Sequence, residues 1–80
     1  MFQTLIRTEE IEIDGQTYPV RYFETETVRG ARRYNCEVAL SASDHIIFDG
    51  DSLADLAWRV ARMTPATVVS RALAARSFAA

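Results

Sequence analysis

Apolar and polar residues alternate along the first half of the chain, and apolar residues recur every three or four positions along the second half. Alternation with a period of two is typical of strands with one buried face, whereas the longer spacing is typical of amphipathic helices. The pattern predicts strands at about residues 3–13, 17–25, 32–41 and 45–48, and helices at about residues 52–63 and 65–77. This order favours an α+β fold: an antiparallel β-meander of three to four strands, followed by two C-terminal helices packed on one face of the sheet.

The dipeptide Asp14-Gly15 is the strongest local signal in the strand region. Asp-Gly is favoured in two-residue hairpin turns, because both central residues need a positive φ. Such a turn sets the register, which pairs Ile13 with Gln16, Ile11 with Tyr18, Glu9 with Val20 and Arg7 with Tyr22. The turn and the apolar pattern agree, since a slip by one residue would move every apolar side chain to the other face. Pro19 has no N–H and predicts an edge position or a local break.

Capping residues mark both predicted helices. Ser52 is a candidate N-cap, with Asp55 three residues later. The dipeptide Thr64-Pro65 predicts that the first helix ends and a second begins, with Thr64 as its N-cap and Pro65 at its first position. The first helix has an apolar stripe that we expect to face the sheet, formed by Leu53, Leu56, Ala57, Val60 and Met63.

Trp58 lies on the opposite side of the first predicted helix, roughly 160° from the apolar stripe at about 100° per residue. It is therefore expected to point away from the sheet, with Arg62 one turn later as a candidate cation–π partner. Two interpretations remain open. Trp58 anchors an interface, or the second helix folds back and covers it.

The second predicted helix has a broad face of small and apolar residues that also contains Arg76. Arg76 either extends past the apolar stripe to solvent or meets a carboxylate of a partner. Because most of this surface is alanine and valine, close approach of another helix is feasible, which favours a homodimer. The predicted interface residues are Trp58, Arg62, Val69, Leu73 and Arg76.

Charge weighs against a general attraction to nucleic acid, because the formal net charge of the 80 residues is −2. The charge is uneven: residues 1–50 hold five arginines and nine acids, and residues 51–80 hold four arginines and two acids. All nine basic residues are arginine, which is typical of a GC-rich genome and suggests a bacterial source. One concentrated basic cluster, Arg29, Arg32 and Arg33, is a candidate phosphate contact.

Among the residue types used in catalysis, histidine and cysteine each occur only once. Ser43, Asp44 and His45 are adjacent in a predicted turn, whereas a catalytic triad needs groups that converge from separate elements. Cys36 lies on the apolar face of a strand, which predicts a buried and inert thiol. One Cys and one His are too few for a zinc site. We therefore predict no enzyme activity, no cofactor and no metal.

The absence of a secretory pattern at the N-terminus, of a long apolar run and of a cysteine pair favours a cytoplasmic setting.

The stretch GDSLADLA, residues 50–57, resembles the strand-to-helix transition of HicB-like antitoxin domains, in which a helix also follows an antiparallel sheet. The resemblance covers about a tenth of the chain, and the Gly-Cys element expected before this transition is missing.

Two functional hypotheses follow. The leading one is a non-catalytic protein-interaction module that self-associates through its C-terminal helices. The alternative is a nucleic-acid-binding or antitoxin-like small domain that uses the arginine-rich loop and the helix surface.

Overall fold

Four antiparallel strands form a meander, and one long helix follows them. The computed structural model describes residues 3–79, with the side chains of residues 3–76. The strands lie in chain order across the sheet. They are β1 (Gln3–Ile13), β2 (Gln16–Glu26), β3 (Arg32–Ser41) and β4 (Asp44–Gly50), and the helix is α1 (Leu53–Ala79). The α+β class and the meander are confirmed, and the observed strands match the predicted ones closely.

The hairpin of β1 and β2 has the predicted turn and register. Asp14 and Gly15 have φ values of 52° and 80°, as a two-residue turn with two positive φ angles requires. All four predicted residue pairs are present. Pairing of β2 with β3 begins at Val20, one residue after Pro19. The missing N–H of Pro19 therefore falls outside the β2–β3 ladder, where β2 pairs with β1 alone, which is the edge position that was one of the two predicted alternatives. The other alternative, a local break, is wrong, because β2 is continuous from Gln16 to Glu26.

The C-terminal region is one helix, so the prediction of two helices is wrong. Pro65 lies inside α1, which runs from Leu53 to Ala79. A proline within a helix removes one backbone hydrogen bond and crowds the preceding turn. Packing offsets this cost on both sides of Pro65: Val60 and Thr64 are buried before it, and Arg71 binds Asp44 after it, with Nε 2.9 Å from Oδ2.

The core lies between the inner face of the sheet and one side of α1. Among residues 3–76, eight apolar residues are buried, five of them on the three strands that follow the first turn and two on the helix. The largest cluster consists of Val20, Tyr22, Cys36, Val38, Phe48, Leu56 and Val60. Apolar residues predicted for this face of the strands, Ile11, Tyr18, Tyr34 and Leu40, pack against it.

Met63 was predicted to lie in this core and does not, because 52% of its surface is exposed. Thr64 takes the core position instead and is completely buried. The side of α1 that faces the sheet follows Leu56, Val60 and Thr64 at intervals of four residues, and Met63 lies about 100° from Thr64 around the helix. The prediction that Thr64 is a helix cap is therefore wrong, and the apolar stripe ends at Thr64 and not at Met63.

The junction between β4 and α1 sets the position of the helix over the sheet. The N–H of Asp55 donates to Oγ of Ser52 at 3.0 Å, which confirms the predicted N-cap. A Cβ atom at Gly50 would lie 3.3 Å from Nη2 of Arg59 and 3.4 Å from Cδ2 of Leu56. Glycine at this position thus lets the first turns of α1 approach the end of β4.

Candidate interaction surface

The helix surface, as we define it, is the side of α1 that faces away from the sheet. Three of its apolar side chains are well exposed: Trp58 by 60%, Val69 by 48% and Leu73 by 57%. Arg62 and Arg76 are also exposed. These five residues are spaced by 4, 7, 4 and 3 along the chain, so they share one side of the helix.

Trp58 lies at the N-terminal end of the helix surface. Leu56 and Val60, its neighbours two residues before and after, are buried by the sheet, so the indole is directed away from it. Cζ of Arg62 lies 5.0 Å from the centroid of the indole, within the range of a cation–π contact. Because α1 continues through Pro65, the interpretation in which a second helix folds back over Trp58 is wrong.

Between Trp58 and Arg76, the charged residues of α1 are all arginines. Within the described residues, neither Arg62 nor Arg76 forms an ion pair with a carboxylate. Asp55, the acid in the first turn of α1, pairs with Arg59, whose Nε lies 3.4 Å from Oδ2. The helix surface therefore combines exposed apolar area with two cations that have no carboxylate partner in the described part of the chain.

The arginine cluster at the β2–β3 turn is largely neutralised by carboxylates of the same chain. Nε of Arg32 lies 3.2 Å from Glu24, and Nη2 of Arg33 lies 2.7 Å from Asp49. Hydrogen bonds to Asp49 raise the pKa of Arg33 further above its ordinary value. Contact with a phosphate would have to displace both carboxylates, so phosphate binding by Arg29, Arg32 and Arg33 stays a prediction that this geometry does not favour.

The structure separates the residues that a hydrolase would need to bring together. Asp44 binds Arg71 on the helix side of the sheet. His45 is the next residue along β4, where it is exposed and pairs with Ala39, so strand alternation places it on the other face. Among the described residues, no group of three or more His, Cys, Asp or Glu side chains is arranged to hold a metal ion.

Cys36 is a core residue, as its position in the strand pattern predicts. Its side chain is completely buried. Burial raises the pKa of the Cys36 thiol from 9.0 to about 11, because the buried site disfavours the thiolate. The arrangement is that of a structural thiol, because a reactive cysteine needs a lowered pKa and access to solvent.

The folded chain is expected to react with Ellman's reagent at pH 8 at least about 100-fold more slowly than the chain unfolded in guanidinium chloride. At pH 8 the rise in the pKa of the Cys36 thiol from 9.0 to about 11 reduces the thiolate fraction by about that factor. Burial of the side chain slows the reaction further. The raised pKa also means that stability is lost as the pH rises from about 9 towards 11, because only the unfolded thiol ionises there. Equal rates for the two forms would show that Cys36 is accessible.

A second exposed apolar area lies on the outer face of the sheet, and it was not predicted from the sequence. Ile47 on β4 is 69% exposed, and Leu5 on β1 is 51% exposed. Ion pairs of Arg21 with Glu37 and of Arg33 with Asp49 lie on the same face. The sequence of β4 does indicate this area. Ile47 lies between two inward-facing apolar residues, at a position where alternation predicts a polar side chain.

Comparison of the chain with protein-family models, with curated proteins and with solved structures finds no significant match.

Within residues 3–79, no helix combines the length and the apolar character that a transmembrane span requires.

Proposed function

We propose that this chain is a non-catalytic protein-interaction module that self-associates through the helix surface. The observation that carries this proposal is the 60% exposure of Trp58 on a rigid helix, beside the exposed side chains of Val69 and Leu73. Tryptophan and arginine are enriched at the energetic centres of protein interfaces, where a large rigid side chain loses contact with water at a low cost in conformational entropy.

A second copy of the chain fits this surface in size and charge. From Trp58 to Arg76 the helix surface is about 27 Å long at roughly 1.5 Å per residue. Two such surfaces packed together would bury on the order of 1,000 Å², the lower end for specific complexes, which favours a reversible dimer of micromolar affinity. Between Trp58 and Arg76 the helix surface has cations and aromatic area but no acid, so an aromatic partner surface can contact these cations without supplying a carboxylate.

Sedimentation equilibrium between about 1 and 100 µM is the experiment that tests the proposal, over the concentration range in which a micromolar dimer dissociates. The wild-type chain is expected to shift from monomer to dimer across this range. Trp58→Ala is expected to raise the dissociation constant by at least about 30-fold, as removal of a tryptophan that anchors an interface does.

Ile47→Ala is the matched control for Trp58→Ala. It also removes an exposed apolar side chain, but on the outer face of the sheet, and it is expected to leave the dissociation constant unchanged. A wild-type chain that remains monomeric at 100 µM would contradict the proposal. An equal loss of association in both variants would show that association is not specific to the helix surface, which also contradicts the proposal.

A further inference from the structure

We infer that the two copies pair their α1 helices antiparallel about a two-fold axis, so that the partner's Arg76 contacts the indole of Trp58. This inference rests on the proposed self-association and specifies its geometry. The dimer is then a four-layer arrangement in which the two helices lie between the two sheets.

The spacing of the helix surface suits such a pairing. Trp58 and Arg76 are 18 residues apart, which is five turns at 3.6 residues per turn, so the two side chains leave α1 in the same direction. Between them, Arg62, Pro65, Val69 and Ala72 continue the same line at alternating intervals of four and three residues. Alternating intervals of this kind produce a seam along which two helices pack side by side.

Charge distinguishes the two orientations of the helices. In a parallel pair, each arginine of the seam would face its own copy, Arg62 against Arg62 and Arg76 against Arg76. Like charges in direct opposition are destabilising, and neither arginine has a carboxylate partner within the described residues to offset the repulsion. Parallel helix dipoles would oppose the parallel pair as well.

In an antiparallel pair, neither arginine faces its own copy, and the two helix dipoles point in opposite directions. The symmetric register of this pair aligns residues whose numbers add up to 134: Trp58 with the partner's Arg76, Arg62 with the partner's Ala72, and Pro65 with the partner's Val69. Each arginine then meets an indole or a small side chain. Arg62 already lies over the indole of its own chain at 5.0 Å, and with 60% of Trp58 exposed the partner's Arg76 has indole surface to contact.

Thiol crosslinking with single alanine-to-cysteine variants tests the orientation. Ala61 and Ala75 lie on one flank of the seam, and an antiparallel pair brings Ala61 of one copy next to Ala75 of the other. It keeps two copies of the same position roughly 20 Å apart at about 1.5 Å per residue. A mixture of Ala61→Cys and Ala75→Cys is therefore expected to form a disulfide-linked dimer, and neither variant alone should do so.

Crosslinking of Ala72→Cys with itself would indicate a parallel pair, because a parallel pair places the two copies of residue 72 in direct contact across the seam. The wild-type chain is the control for Cys36, which is buried and should not crosslink. Arg76→Ala is expected to weaken the dimer about fivefold to 30-fold, the effect of losing one cation–π contact in each half, whereas Arg29→Ala at the distant β2–β3 turn should have no effect.

The outcomes separate this inference from the proposed function. A dimer in which Ala72→Cys crosslinks alone, or in which the mixture fails to crosslink, overturns the antiparallel geometry and leaves self-association standing. A chain that is monomeric at 100 µM by sedimentation overturns both. A dimer that crosslinks only in the mixture and weakens with Arg76→Ala supports both.

Discussion

Leu56→Ala is expected to lower the free energy of unfolding by about 2–5 kcal/mol, the range for removing a large aliphatic side chain from a packed core. Leu56 is completely buried at the contact between α1 and the sheet. Its side chain also packs close to Gly50 at the end of β4, where the backbone has little freedom to close a cavity. The expected loss is a large fraction of the stability of a domain of this size.

Urea unfolding followed by far-ultraviolet circular dichroism measures this change, and Met63→Ala is the matched control. Met63 is similar in size and lies seven residues further along the same helix, but it is 52% exposed. Its replacement is expected to change the free energy of unfolding by less than about 0.5 kcal/mol. Equal effects of the two substitutions would mean that Met63 is packed as closely as Leu56, which contradicts the burial described.

Pro65→Ala is expected to raise the free energy of unfolding by up to about 3 kcal/mol. Inside a continuous helix, alanine restores the backbone hydrogen bond to the carbonyl of Ala61 and removes the clash of the proline ring. The two-helix arrangement predicted from sequence gives a different result, because a proline at the first position of a helix is already well placed. The substitution therefore distinguishes one helix from two.

This measurement is best made in the Trp58→Ala background, so that dimerisation does not add to the stability of the folded state. The reference is Trp58→Ala alone, with both proteins unfolded in urea at the same concentration. A double variant that is no more stable than its reference would indicate a helix break at Thr64-Pro65. The continuous α1 would then be wrong.

The strands and the first hairpin could be predicted because local chemistry determines them. Asp14 and Gly15 supply the two positive φ angles of the turn, and the turn sets the register of β1 and β2 as far as the Arg7–Tyr22 pair. Beyond that pair the register shifts by one residue, which the turn does not determine. In β3, alternation places Cys36 and Val38 on the buried face without reference to the rest of the chain. Each of these features depends on residues close together in sequence.

The continuity of α1 could not be predicted in the same way, because it depends on contacts distant in sequence. Thr64 and Pro65 are typical of a helix start, and only the burial of Thr64 and the Arg71–Asp44 ion pair show why the helix continues. The hydroxyl of Thr64 is buried with no hydrogen-bond partner among the described residues. Thr64 therefore does not cap a helix, and its side chain packs against the sheet instead.

The candidate site was partly predictable. The exposed position of Trp58 follows from helical periodicity alone, and the contact with Arg62 follows from their spacing of four residues. The ion pairs of Arg32 and Arg33 could not be predicted from the sequence, because Asp49, the partner of Arg33, comes from another strand. The exposed apolar area around Ile47 was not predicted, because a single apolar residue at a position expected to be polar is common on protein surfaces.

The emission spectrum of Trp58 as a function of concentration tests the central claim most directly, because this side chain is the only tryptophan in the chain. A solvated indole emits at longer wavelength than one enclosed by protein. We predict a shift of the emission maximum to shorter wavelength between about 1 and 100 µM, the range expected for a micromolar dimer. A maximum that remains at the wavelength of a solvated indole throughout would show that no second copy covers Trp58.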